Sequence, residues 1–152
     1  MQLHYYVLLM VLLGSCMATE EVEINSSQPN IIFLLTDDQR WDALGAMGND
    51  QILTPNLDLL AGQGIMFSNA YVTTPICAVS RASFFSGQYS RRHGIHGFST
   101  MFSDSTWQKC YPELMRQAGY QNAFIGKFGV GRAEKMPRSS FEFWRGIPGQ
   151  PH

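Results

Sequence analysis

A chain of 152 residues, 45% hydrophobic and 15% charged, has the composition of one ordinary globular domain. Its 11 Lys+Arg against 12 Asp+Glu leave a formal charge of −1, which removes the basic footprint that sequence-independent nucleic-acid binding requires, so no nucleic-acid partner is expected. The 10 Phe, 8 Met and 3 Trp exclude a disordered chain, because that apolar content offsets the entropy lost on ordering.

Residues 1–18 read as a leader. Val7 to Leu13 is an apolar run shorter than the ~20 residues that span a bilayer, and Gly14-Ser15-Cys16-Met17-Ala18 supplies the small residues of a cleavage site. One reading is a secretory signal peptide cut near Ala18. Leu13-Gly14-Ser15-Cys16 also has the form of a lipobox, through which Cys16 would anchor the mature chain to lipid. Either leader implies a secreted or periplasmic protein with no transmembrane span in its mature form. Asn25-Ser26-Ser27 is a glycosylation sequon, meaningful in a eukaryotic host. Cleavage leaves Cys77 and Cys110, for which a disulfide is the simplest expectation in an oxidising compartment. Residues 19–29, polar and acidic, read as a tail or linker.

Ile31 to Leu35 (IIFLL), bounded by Pro29 and by Thr36-Asp37-Asp38, has the pattern of a strand buried on both faces of a parallel sheet. Thr54-Pro55-Asn56 opens a short helix with Leu57, Leu60 and Ala61 at helical spacing until Gly62 and Gly64 stop it. Ile65 to Thr73 reads as a second strand and Ser80 to Gly87 as a helix. Tyr111, Leu114, Met115 and Ala118 mark the apolar face of another helix, ended by Gly119, and Tyr120 to Ile125 is a third strand. Phe141, Phe143, Trp144 and Pro148-Gly149-Gln150-Pro151 show no periodicity and read as a connection. Alternating strands and helices predict an α/β fold, a mainly parallel sheet with helices on both faces. Ligands bind such sheets beyond the carboxyl ends of the strands, which directs attention to Asp37-Asp38, Cys77 and Gly126-Lys127 on one rim.

Adjacent carboxylates raise each other's pKa unless a cation neutralises them. Asp37 and Asp38 therefore suit a hard divalent ion, Ca²⁺ or Mg²⁺, against the plainer alternative of a solvated turn. Cys77 stands just before a helix start with Arg81 one turn on, so a positive dipole and a positive charge favour an anionic group there; a half-buried or disulfide-bonded cysteine is the alternative. His93 and His96, separated by Gly94 and without a Cys or Glu partner nearby, read as a surface loop rather than a transition-metal site. Gly126 to Gly131 lacks the order of a nucleotide-binding loop. Trp41, Trp107, Trp144 and the Phe84-Phe85 pair read as packing residues.

Asn30 to Arg40 (NIIFLLTDDQR), Thr54-Pro55-Asn56-Leu57, Cys77-Ala78-Val79-Ser80-Arg81 followed by Ser86-Gly87, and Gly119-Tyr120 to Gly126-Lys127 occur in a fixed order. In order and spacing they resemble the type I, formylglycine-dependent sulfatases of the alkaline-phosphatase-like superfamily, over roughly residues 30–150. The resemblance implies Asp37 and Asp38 as metal ligands, with Ca²⁺ the usual ion and Mg²⁺ the alternative. It implies Cys77 as the cysteine that a formylglycine-generating enzyme converts to formylglycine, which faces the same metal. Arg81 would brace that group and Lys127 would contact the sulfate. In the mechanism so implied, one hydroxyl of the hydrated aldehyde attacks sulfur and the other then expels sulfate, a collapse that a thiol cannot perform. The metal and the two cations offset the sulfuryl charge.

Two positions depart from the family pattern. Val79 stands where Pro or Ala is usual, and in Gly126-Lys127-Phe128-Gly129-Val130-Gly131 the glycine at 129 stands where a catalytic histidine is usual. Family members run several hundred residues and complete the metal site with a later Asp-Asn or Asp-His pair. Residues 30–152 are therefore expected to be a truncated, N-terminal part of the catalytic domain. The implied substrate is a sulfate ester, whether aryl, glycan or steroid. Two further readings stay open: a phosphodiesterase or phosphonate monoester hydrolase of the same superfamily, and a catalytically inactive remnant.

Overall fold

The computed structural model describes residues 28–149. The leader, Cys16, the sequon at Asn25 and most of the linker lie outside the described residues. Two compact units divide at Leu35 and Thr36.

In the first unit the expected strand at Ile31 to Leu35 does not form. Ile32 is 90% exposed and Leu34 74% exposed. The expected strand at Ile65 to Thr73 is absent as well, with Ile65, Phe67 and Tyr71 exposed. Both corrections have one cause. An apolar run becomes a strand only where a neighbour accepts and donates its ladder hydrogen bonds, and the sheet among the described residues has two strands, drawn from elsewhere.

The helices of the second unit follow their sequence signals closely. Helix α1 (Pro55–Gln63) starts on the expected proline and stops at Gly64. Thr54 makes no side-chain cap; its Oγ1 instead accepts from the Gly45 amide at 2.8 Å and donates to Asp58 at 2.9 Å. Helix α2 (Cys77–Ser86) begins a turn earlier than expected and ends at Gly87, whose φ of 63° is the left-handed geometry that terminates helices. Two single-turn helices follow, α3 (Ser90–His93) and α4 (Asp104–Trp107), the latter capped by the Ser103 side chain. Helix α5 (Tyr111–Gln117) ends just before Gly119, as the pattern required.

Strands β1 (Ala123–Lys127) and β2 (Phe143–Ile147) pair in parallel, from Ala123 opposite Phe143 to Lys127 opposite Ile147. The second of these overturns the reading of residues 141–149 as a plain connection. Its inward positions are Trp144 and Gly146, and glycine carries no hydrophobic signal, so the alternation was too short to read. Nothing larger than glycine fits at 146, since a Cβ there would lie 2.4 Å from the Trp144 ring.

The inward sheet face meets α2 through aromatic rings. Phe85 packs 5.0 Å from Phe128 and 5.8 Å from Trp107, and Phe124 stacks on Trp144 at 4.8 Å. Ile95, Cys110, Val130 and Met136 complete this core. Burying each large apolar side chain here contributes about 1.5–3 kcal/mol. Of the residues read as packing, Phe85 and Trp107 are buried, whereas Trp41 is 75% and Phe84 41% exposed.

A buried polar chain locks the core to α5. The Trp107 indole donates to Ser140 Oγ at 2.8 Å, and Ser140 Oγ donates to Glu113 Oε2 at 2.9 Å. Arg116 takes the other carboxylate oxygen at 2.7 Å. The Arg116 guanidinium, with Ser140 and Gln117 adding to it, outweighs burial and holds Glu113 at a pKa of about 2. A carboxylate depressed in this way stabilises the fold fully above its ordinary value of 4.5 and loses that contribution as pH falls through about 2. Glu113→Gln is expected to cost about 1–3 kcal/mol at neutral pH and to flatten the acid limb of the stability curve. Urea unfolding of both proteins across that range checks it; an unchanged acid limb contradicts the role given to Glu113.

Candidate active site

Three of the sequence-selected residues converge. Arg81, one turn into α2, is buried to 7% exposure. Its guanidinium donates to the Lys127 carbonyl oxygen at 2.5 Å through Nη1 and to Asp37 Oδ1 at 3.3 Å through Nη2. Lys127, at the end of β1, donates from Nζ to Asp37 Oδ2 at 2.7 Å. The two oxygens of one carboxylate thus hold two different cations apart. The Lys127 hydrogen bond lowers the Asp37 pKa most, with Arg81 assisting and partial burial opposing.

Arg81 Nε is buried and has no hydrogen-bond partner. A buried cationic donor left unpaired is costly, and its chemistry is that of a site awaiting an acceptor. Two cations against the single carboxylate between them leave a net positive charge. Helix α2 adds to this, because it begins at Cys77 with Ile76 as an N-cap that makes no side-chain hydrogen bond, leaving first-turn amides without a side-chain cap. The combination favours an oxyanion.

Cys77 is the first residue of α2 rather than the residue before it, and is half-buried. The disulfide expected between Cys77 and Cys110 does not form. Cys110 lies inside the aromatic core with its thiol 3.5 Å from the Thr106 carbonyl, and burial pushes that thiol up to about 12. Asp38 stands outside the ion-pair set; it is exposed and takes a φ of 54°.

Asp37 and Asp38 offer the hard oxygens that a Ca²⁺ or Mg²⁺ ion takes. Both oxygens of Asp37 are already engaged by cations, and among the described residues no group of three or more His, Cys, Asp or Glu gathers at one point. Asp37 and Asp38 therefore supply at most part of a divalent ion's shell, and the described residues assemble no metal site of their own.

His93 corrects the surface-loop expectation, being buried at 5% exposure. Its Nδ1 accepts from the Ile95 amide at 3.0 Å, so in the neutral ring the proton sits on Nε2, which faces Ser83 Oγ at 3.1 Å. Ser83 in turn donates to the Val79 carbonyl. Burial, with His96 adding, lowers the His93 pKa. This histidine braces α2 from behind. The only sequence hint was its place just before Gly94, whose φ of 73° closes α3.

The parallel strand pair, the helix packed on its inner face and the polar set at the strand end make an α/β unit, and its likeness to solved structures is to alkaline-phosphatase-like folds. The family model for sulfatases matches residues 29–149, and the chain belongs to the sulfatase family. It is 35% identical over 138 residues to an N-acetylglucosamine-6-O-sulfatase of Bacteroides thetaiotaomicron, covering 91% of this chain and 23% of that protein. It is 34% identical over 133 residues to an N-acetylgalactosamine-6-sulfatase of Rattus norvegicus, covering 79% and 25%. Among solved structures, a protein in complex with its substrate D-glucosamine-2-N,6-O-disulfate matches with a TM-score of 0.65 at 35% identity, over 76% of this chain and 22% of that one. A phosphonate monoester hydrolase of Agrobacterium radiobacter matches with a TM-score of 0.62 at 22% identity, over 74% and 24%, a likeness of fold alone. The chain spans about a quarter of the length of these relatives.

Removing the Lys127 ammonium is expected to return the Asp37 carboxyl toward its ordinary range. A carbon-detected NMR titration of Lys127→Ala checks it, and an unmoved Asp37 midpoint contradicts the ion pair.

Proposed function

We propose that this chain forms part of a site that hydrolyses sulfate esters, with residue 77, as formylglycine, supplying the nucleophile. The observation that carries the reading is the Asp37, Lys127 and Arg81 set, with its unpaired guanidinium nitrogen, gathered at the strand end beside the start of α2. Formylglycine would supply a hydrated aldehyde in place of a thiol, and a divalent ion held in part by Asp37 and Asp38 would acidify an oxygen and draw off charge.

The chain's own residues do the rest. Lys127 and Arg81 present fixed positive charge to the sulfuryl oxygens, and because Asp37 pins both, little reorganisation is needed as negative charge builds. The depressed pKa of Asp37 keeps it anionic, so the two cations stay ordered. The first-turn amides of α2, without a side-chain cap, would add to the field that favours the same anion. The relatives are named as amino-sugar 6-sulfatases, an ulvan-active sulfatase and an arylsulfatase, which supports a sulfate ester as the substrate class without selecting its alcohol. In this reading a formylglycine-generating enzyme modifies Cys77 on an export route that the leader would provide.

Turnover of glucosamine 6-sulfate and of 4-nitrophenyl sulfate by the exported protein with added Ca²⁺ tests the proposal. Cys77→Ala is expected to abolish it, and Lys127→Ala to lower kcat by about 10²–10³, the usual cost of one lost electrostatic donor. Turnover that survives Cys77→Ala, or that acts on a phosphonate monoester and not on sulfate, overturns it. Absence of turnover from a protein with an intact Cys77 thiol identifies a non-catalytic member.

A further inference from the structure

We propose that Gly129 is a positioning residue for Arg81: its missing side chain is the slot in which the arginine stem lies, and this slot sets where the unpaired Nε points. The inference deepens the sulfate-ester reading and rests on it for the purpose of the site, though not for the geometry. Gly129 is buried and has a φ of 71°. A Cβ built there would lie 2.8 Å from Arg81 Cδ and 3.3 Å from Arg81 Nε, closer than a carbon can approach the first without displacement.

Something must move, and the backbone is the less free partner. The Gly129 amide donates to the Pro148 carbonyl at 2.8 Å and the Phe128 amide to the Ile147 carbonyl at 2.8 Å, so residues 128–129 are clamped to the end of β2. Arg81 is held at its tip by the Lys127 carbonyl and by Asp37. A side chain at 129 therefore acts on the arginine, lifting the stem, displacing Nε and drawing the two terminal nitrogens off the Lys127 carbonyl and Asp37. Position 129 is where the family resemblance places a histidine. In this chain that volume is occupied by the Arg81 stem, so Gly129→His displaces Arg81 instead of adding a second group to the site.

Gly131 supplies the control. Its φ is also 71°, so a substitution carries the same backbone strain, but its Cβ would meet the unbranched, half-buried side chain of Met101, at 2.2 Å from Cγ and 2.9 Å from Sδ, and leaves Arg81 untouched. The experiment compares Gly129→Ala with Gly131→Ala in the full 152-residue chain. The first readout is the ¹⁵N NMR signal of Arg81 Nε–H, assigned by its loss in Arg81→Lys. Gly129→Ala is expected to shift that signal and to speed its exchange with water by about tenfold or more as Nε leaves its buried position, whereas Gly131→Ala leaves it in place. A signal that does not move in Gly129→Ala, or that moves equally in both, overturns the inference.

The second readout is a titration with inorganic sulfate, for which Gly129→Ala should weaken binding by about tenfold or more and Gly131→Ala should not. In an Arg81→Ala background, Gly129→Ala should have no further effect on sulfate binding. If the unsubstituted chain does not bind sulfate, the sulfate-ester reading fails while the Nε signal still decides the role of Gly129. Should Gly129→Ala unfold, the Arg81→Ala/Gly129→Ala double variant decides. Its unfolding midpoint should lie below that of Arg81→Ala by no more than Gly131→Ala lies below the unsubstituted chain, the backbone strain common to both positions; a larger fall overturns the inference.

Discussion

The site depends on where one buried guanidinium is tied. Arg81 comes from α2, takes the carbonyl of Lys127 at the end of β1, and reaches Asp37. These residues lie 44 and 46 positions from Arg81 in sequence, so the single side chain fixes the relation of three segments. The low exposure of Arg81 makes its tethers matter more than ordinary surface ion pairs, which contribute little in water. The second cation, Lys127, then finds its place through the oxygen of Asp37 that Arg81 leaves open.

That arrangement rests on a core built behind it. Phe85, one turn beyond Arg81 on α2, packs against Phe128 and Trp107, so the same helix that carries Cys77 and Arg81 is anchored to the core by aromatic contacts. His93 and Ser83 brace the helix on another side through the Val79 carbonyl. The Glu113, Ser140 and Trp107 chain holds α5 to the same core. A rigid scaffold of this kind matters because preorganised charge, unlike mobile charge, stabilises a transition state without first being ordered. No helix among the described residues is long and apolar enough to cross a membrane.

The sequence disclosed the helices and the site better than the sheet. Helix signals are local: Pro55, Gly87 and Gly119 each mark a boundary within a turn of where it falls. Of the candidate site residues, Arg81 in the first turns of α2 and Lys127 at the end of β1 meet Asp37, although the strand expected before Asp37 does not form. Strands depend on partners distant in sequence. Ile31 to Leu35 had the composition of a strand without a ladder, while Phe143 to Ile147 had a ladder without a clear alternation, its inward face being Trp144 and a glycine. His93 was misread because two hydrogen bonds and burial, none visible in a single sequence, turn its ring inward. The consequence of Gly129 was hidden for the same reason, since only the path of the Arg81 stem shows what a side chain there would strike.

A peptide mass spectrum of the exported protein across Cys77 tests the central claim most directly. Conversion of that cysteine to formylglycine, a loss of about 18 Da from exchanging the thiol for an aldehyde oxygen, is the expected result and shows that Val79 in the motif is tolerated. A Cys77 recovered entirely as the free thiol contradicts the assignment of residue 77 as the nucleophile of a working sulfatase.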